Sequence, residues 1–133
     1  MMISVELYLF LRQAHYFVSR GMLLIGLIGF VVAIYIGLIR HGDVTPWFRR
    51  AVYAVAALTV VEASMGALMY FGINARPHDE VHLIYGLGAI LSLPFFIFVE
   101  KTATKRPAMG SYIWGFALIA AITVRSIMTG AAG

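Results

Sequence analysis

The chain contains no cysteine, only four prolines, and little charge of either sign: 12% of its 133 residues are Asp, Glu, Lys or Arg. Without cysteine, disulfides, thiolate nucleophiles, iron–sulfur ligation and cysteine-based zinc sites are excluded. An ordinary soluble domain is about 25% charged and about 45–50% apolar. Here 62% of residues are hydrophobic and the mean hydropathy is +0.90. A small soluble fold buries the smallest fraction of its surface and could not hide that much apolar area. A water-soluble enzyme, a nucleic-acid-binding module and a disordered tail are therefore excluded, and lipid is the solvent the composition implies. The formal charge of +4 and pI of about 9.7 do not need nucleic acid as an explanation. The basic residues sit mostly in short connections between apolar runs, where they act as topology signals.

Four apolar runs are present, at approximately 16–39, 47–71, 81–99 and 111–129. At 1.5 Å per residue each is long enough to cross about 30 Å of hydrocarbon as a helix. The runs are too long, and too free of alternation, for barrel strands. Short connections predict antiparallel neighbours, hence an all-α integral membrane fold: one domain, a four-helix up-down bundle. Residues 4–15 extend the first helix outward, with Ser4 as an N-cap. Glu6, Arg12 and Arg20 break up any short apolar core there, so this segment does not read as a signal peptide. Arg40, Arg49 and Arg50 lie between the first two spans, and Lys101, Lys105 and Arg106 between the last two. The positive-inside rule makes those connections cytoplasmic and puts both termini on the non-cytoplasmic side of the cell membrane. Trp47, Tyr112 and Trp114 fall near the cytoplasmic interface as anchors, and His41 is expected to be solvated in the turn.

The embedded polar residues are distributed unevenly. Counting helical rise from the cytoplasmic ends places Glu62 at about 22 Å, Arg125 at about 25 Å and His82 at about 27 Å. Arg20 and Ser19 come out near 30 Å, and His15 several ångströms higher. One acid, two histidines and two arginines thus converge on the outer leaflet, while the cytoplasmic half shows almost nothing comparable. A charge near the centre of a membrane helix costs about 2.5–3.5 kcal/mol. Glu62, flanked by Val60, Val61 and Ala63, is expected to face the bundle interior, paired with Arg125 or protonated.

Helical spacing from His15 gives Ser19, Met22, Gly26, Gly29, Ala33 and Gly37, a stripe of mostly small residues suited to close helix packing. The same spacing groups Thr59, Glu62, Gly66 and Met69 on the second span. It groups His78, His82, Tyr85, Ala89 and Ser92 on the third, and Trp114, Leu118, Ala121 and Arg125 on the fourth. Pro94 predicts a kink in the third span, and Gly86-Leu87-Gly88 a close-contact surface. First and third helices lie diagonally opposite in an up-down bundle. A histidine from each is the arrangement that can ligate a haem iron from both sides, with His82, His15 or His78 as ligands. Arg20, Arg76 or Arg125 would meet the haem carboxylates, with Tyr85 and Glu62 in the same pocket. The mismatch in depth between His15 and His82 requires a tilted first helix, or His78 as the ligand. The competing chemistry is a bare metal site: His78 and His82 are four apart on one helical face, a spacing that suits zinc, copper or non-haem iron.

The stretch Glu62-Ala63-Ser64-Met65-Gly66-Ala67-Leu68-Met69-Tyr70, followed by a short loop and Val81-His82-Leu83-Ile84-Tyr85-Gly86, resembles a helix pair of haem-binding bundles. It is similar to half of a haem A synthase and, more loosely, to small membrane b-type cytochromes. The resemblance implies His82 as an axial ligand and Glu62 as a pocket residue. The full glutamate–histidine–arginine signature and a second bundle are missing, so haem binding is implied rather than haem A synthesis. Three functions follow as expectations. The first is a haem b protein transferring electrons at the outer face with a quinone or a redox partner. The second is a non-catalytic accessory subunit docked on partner membrane subunits or on a second copy of itself. The third is a metal- or solute-handling protein using His78, His82 and Glu62.

Overall fold

The computed structural model describes residues 5–72, 74–75, 77, 79–102 and 109–130. Its elements are all helical: α1 (Val5–Ile34), α2 (Pro46–Ala67), α3 (His82–Thr102) and α4 (Met109–Gly130). With the wider π-helical turns Tyr35–Ile39 and Leu68–Gly72 that continue α1 and α2, all four are long and apolar enough to cross a membrane. Ser4, Arg76, His78, Lys105 and Arg106 lie outside the described residues.

Local chemistry accounts for the helix ends. Thr45 caps α2, its hydroxyl accepting from Phe48 N at 3.3 Å, and Pro46 occupies the first turn, where no amide donor is needed. At the end of α1, Arg40 N and Gly42 N donate to Tyr35 O and Ile36 O at 2.9 and 2.7 Å, and exposed His41 turns the chain at φ 52°. Before α3, Asp79 Oδ1 accepts from Val81 N at 3.0 Å, while Asp79 N donates to Thr129 O at 2.8 Å. The connection between α2 and α3 is thereby tied to the end of α4. Residue 94 is proline, yet α3 runs through it as one helix; a proline in an apolar helix can be tolerated when neighbouring helices support the freed carbonyl.

The helices form a ring in chain order. The backbones approach between α1 and α2, α2 and α3, α3 and α4, and most extensively α1 and α4; among the described residues the diagonal pairs meet only through side chains, Phe48 of α2 against Tyr112 and Phe116 of α4, and His15 of α1 against His82 of α3. Three glycines on α1 set its register against α4. A Cβ on Gly26 would meet Ile119 and Ala120, on Gly29 Phe116, and on Gly37 Met109. Numbers that rise on one helix and fall on the other mean antiparallel packing. Close approach at this seam needs those glycines: at Gly29 a Cβ would sit 2.8 Å from Phe116 Cγ. The small-residue stripe read from the first span is therefore the α1–α4 interface, with Met22, Gly26 and Ala33 buried. Gly88 similarly lies against Ile122 of α4, whereas Gly86 has open space around it and makes no close contact.

Large buried side chains (Tyr112, Phe116, Leu93, Met109, Ile119 and Val52) fill the half of the bundle where α1 and α3 end and α2 and α4 begin. The opposite half carries His15 and His82. The fourth helix faces differently from the expected Trp114, Leu118, Ala121 and Arg125 stripe: all four are exposed, and Phe116, Ile119, Ala120 and Thr123 point inward. A helix apolar all round offers no hydrophobic periodicity from which to choose the inner face.

Candidate functional site

His15 on α1, Glu62 and Gly66 on α2, His82 on α3, and Ser126, Thr129 and Gly130 on α4 meet at one end of the bundle. All four helices contribute, because the diagonal histidines each reach inward from opposite corners of the ring. Their imidazole centroids are 6.2 Å apart, with the ring planes at 78°. The depth mismatch expected from counting helical rise is thus absent.

Both rings are held by the same nitrogen. His15 Nδ1 donates to the backbone carbonyl of Glu62 at 3.1 Å, and His82 Nδ1 to the backbone carbonyl of Ser126 at 2.8 Å. A carbonyl oxygen can only accept, so in each neutral ring Nδ1 carries the proton and Nε2 keeps its lone pair. Neither Nε2 has a hydrogen-bond partner among the described residues. A ring N–H held by a carbonyl or carboxylate in this way leaves the other nitrogen available as a metal ligand. Glycines stand where a larger residue would displace the rings: a Cβ on Gly66 would lie 3.2 Å from His15 Cε1, and one on Gly130 would lie 2.6 Å from His82 Nδ1.

Glu62 is held against His15. Its Oε1 is 2.9 Å from His15 Nδ1, and 14% of the side chain is exposed. The ring N–H is directed at the carbonyl of the same residue, which leaves both carboxylate oxygens buried without a hydrogen-bond partner. The expected pairing of Glu62 with Arg125 does not form. Arg125 is exposed; its Nε donates to Tyr85 Oη at 3.4 Å and its guanidinium stands 5.8 Å from the Tyr85 ring. Arg20 behaves alike, stacked 3.7 Å above the Tyr16 ring with Nη1 donating to Ser19 Oγ at 3.1 Å. Arginine can extend its stem along apolar surface and stack on an aromatic face while its head seeks polar surroundings. Isolated arginines at this end thus have an alternative to pairing with Glu62.

Among the described residues no group of three or more His, Asp or Glu comes together to hold a metal ion. His15 and His82 are brought together, and the expected partnership with His78 lies outside the described residues.

The opposite end holds a second polar cluster that the depth reckoning overlooked. Glu100, 9% exposed, accepts from Arg49 Nε at 2.8 Å and also from Arg49 Nη2, while Tyr112 Oη donates to its other oxygen at 2.5 Å. One carboxylate thus ties α2, α3 and α4. Tyr112 is fully buried and is not the interfacial anchor expected of it, whereas Trp47 and Trp114 are exposed. The signal in the sequence was an arginine four residues into the second helix and a tyrosine four residues into the fourth, both reaching Glu100 near the end of the third.

No known protein family, characterised protein or solved structure matches the chain.

Proposed function

We propose that this is a small integral membrane protein that binds haem b between His15 and His82 and exchanges electrons with a quinone or a partner redox protein. The observation that carries the reading is the pair of imidazoles on diagonal helices, ring centroids 6.2 Å apart, each with Nδ1 committed to a carbonyl and Nε2 without a partner among the described residues. That separation suits one ion bonded to a nitrogen of each ring at about 2 Å. Haem needs just two protein ligands, since the macrocycle supplies four nitrogens, whereas a structural zinc site takes four from the protein. Two histidines, with no third His, Asp or Glu joining them among the described residues, favour haem over a bare ion. When bound, haem supplies one-electron redox chemistry.

The chain's own residues do the rest. The Glu62 and Ser126 carbonyls orient the rings, Gly66 and Gly130 leave them space, and the surrounding helices keep water out. Arg20 and Arg125 supply positive charge for carboxylates, with Tyr85 holding the Arg125 guanidinium. The same reading sets the histidine end at the non-cytoplasmic face of the cell membrane, both termini included, because Arg40, Arg49, Arg50 and Lys101 cluster at the other end.

The deciding experiment is the absorption spectrum of the protein purified in detergent from haem-sufficient cells. A Soret band with the sharp α band of a six-coordinate low-spin haem is expected, lost in His15→Ala and His82→Ala. A colourless preparation overturns the reading. The absence of native cysteine also makes orientation testable: Asn74→Cys should label from outside and Gly42→Cys should not.

A further inference from the structure

A cluster of outward-facing cations stands at the end of the bundle away from His15 and His82. Arg49 Nε donates to Glu100 Oε2 at 2.8 Å, so the start of α2 is clamped to the end of α3 and the two helices run antiparallel. Each further residue turns about 100° around its own helix. In an antiparallel pair the steps from Arg49 to Arg50 and from Glu100 to Lys101 therefore sweep to the same side of the seam. Phe48 and Val52 fill the inner side, whereas Arg50 and Lys101 are exposed, so the shared side is the outer one. Exposed Tyr53, one turn beyond Arg49 and rotated the same way, joins them. In the charge balance of the described residues at this end, Glu100 offsets Arg49 and Asp43 offsets Arg40, which leaves Arg50 and Lys101 as net positive charge. Arg49 spends Nε and Nη2 on Glu100 and its side chain is 38% exposed, so its remaining guanidinium hydrogens are available to an anion.

We propose that the outer side of the α2–α3 seam binds the phosphate of an anionic phospholipid between Arg50 and Lys101, with the Tyr53 hydroxyl as a further donor. Arginine and lysine are both phosphate binders, and their stems lie along apolar surface while the charged heads stay at the water boundary. Exposed Ala57 and Val60 of α2 and Pro94 of α3 continue the same side toward the middle of the bundle. They form an apolar track for acyl chains, which a free phosphate would not use. A zwitterionic headgroup brings its own cation beside the phosphate, and Arg50 and Lys101 repel it; a purely anionic headgroup meets no such penalty. Trp47, exposed near the same level, is the kind of ring that settles at headgroup depth. The inference rests on the membrane-spanning reading and on neither histidine.

The test is native mass spectrometry of the detergent-purified protein titrated with phosphatidylglycerol or with phosphatidylcholine. Wild type should retain phosphatidylglycerol in clear preference. Arg50→Gln and Lys101→Gln should each weaken that binding about fivefold, the effect of one basic residue at an anionic lipid surface. Tyr53→Phe should weaken it less. Arg12→Gln removes an exposed cation from the opposite end and should leave it unchanged, which separates a local site from net charge. Equal affinity for the two lipids, an equal loss in Arg12→Gln, or unchanged binding in the Arg50→Gln, Lys101→Gln double variant overturns the proposal. Inorganic phosphate that displaces phosphatidylglycerol at comparable concentration also overturns it, because the acyl chains would then contribute nothing. Release of the protein from membranes by alkaline carbonate without detergent refutes the spanning reading itself, whereas a haem-free preparation leaves this site untouched.

Discussion

The His82 ring lies against the backbone of Gly130 so closely that a Cβ there would fall 2.6 Å from Nδ1. That nitrogen is bonded to the Ser126 carbonyl at 2.8 Å, so the ring cannot retreat without losing its acceptor. If haem binds as proposed, Gly130→Ala is expected to abolish its absorbance while changing stability little, since Gly130 ends α4. Gly86→Ala, on the same helix as His82 but with nothing within 4 Å of its Cβ, should retain the full absorbance. Equal haem content in the two variants would contradict the packing described here.

Glu62 and His15 should be energetically coupled, and Glu62 and Arg125 should not. Double-mutant cycles in detergent, with Glu62→Gln combined in turn with His15→Ala and Arg125→Gln, separate the two pairings. Contacting residues show coupling of about 0.5–3 kcal/mol, whereas independent sites add within about 0.5 kcal/mol. Coupling to Arg125 rather than His15 would restore the ion pair that the sequence alone suggested.

At the other end, Tyr112→Phe removes a hydrogen bond to a buried carboxylate and should cost about 1.5–3 kcal/mol in unfolding free energy. Arg49→Met should cost less than the about 3–5 kcal/mol of breaking a fully buried pair, because the guanidinium is 38% exposed. Replacing all three, Arg49→Met with Glu100→Leu and Tyr112→Phe, should recover most of that loss, since neither a charge nor the Tyr112 hydroxyl is then stranded. Equilibrium unfolding of the four proteins, monitored by helix content, checks the order.

The α1–α4 seam provides a packing test independent of any cofactor. Gly29→Ala would place a methyl group 2.8 Å from Phe116 Cγ, and Phe116 is 2% exposed. Overpacking of this kind costs about 1–3 kcal/mol, more than the gain of up to about 1 kcal/mol from replacing a helical glycine. Gly21→Ala, with open space at its Cβ, should show only the gain. Thermal unfolding of both variants distinguishes them.

Residues differ in how much of this was legible in the sequence. Length and composition revealed four helices long and apolar enough to cross a membrane, and the glycines at 26, 29 and 37 revealed the packed face of α1, because small side chains at helical spacing have a steric meaning in lipid as in water. His15 and His82 were recognisable as costly residues from opposite corners of a ring. Their partners were not. Glu62 was matched with the nearest opposite charge by depth, yet a long arginine can leave its helix for a tyrosine, and no reckoning along a helix axis registers that. Tyr112 was given to the interface on composition, although its hydroxyl had a carboxylate to reach inside.

What the linear chain determines by itself is how many long apolar helices there are, how long they are and which end receives His15 and His82, since these follow from the transfer of apolar and charged groups between water and an apolar phase. Which side of α4 turns inward, and whether Glu62 meets a histidine or an arginine, was decided only by tertiary packing. Helices apolar on every side have no solvent-imposed orientation, so side-chain volume at the α1–α4 and α3–α4 seams chooses the rotation, and the rotation chooses the contacts.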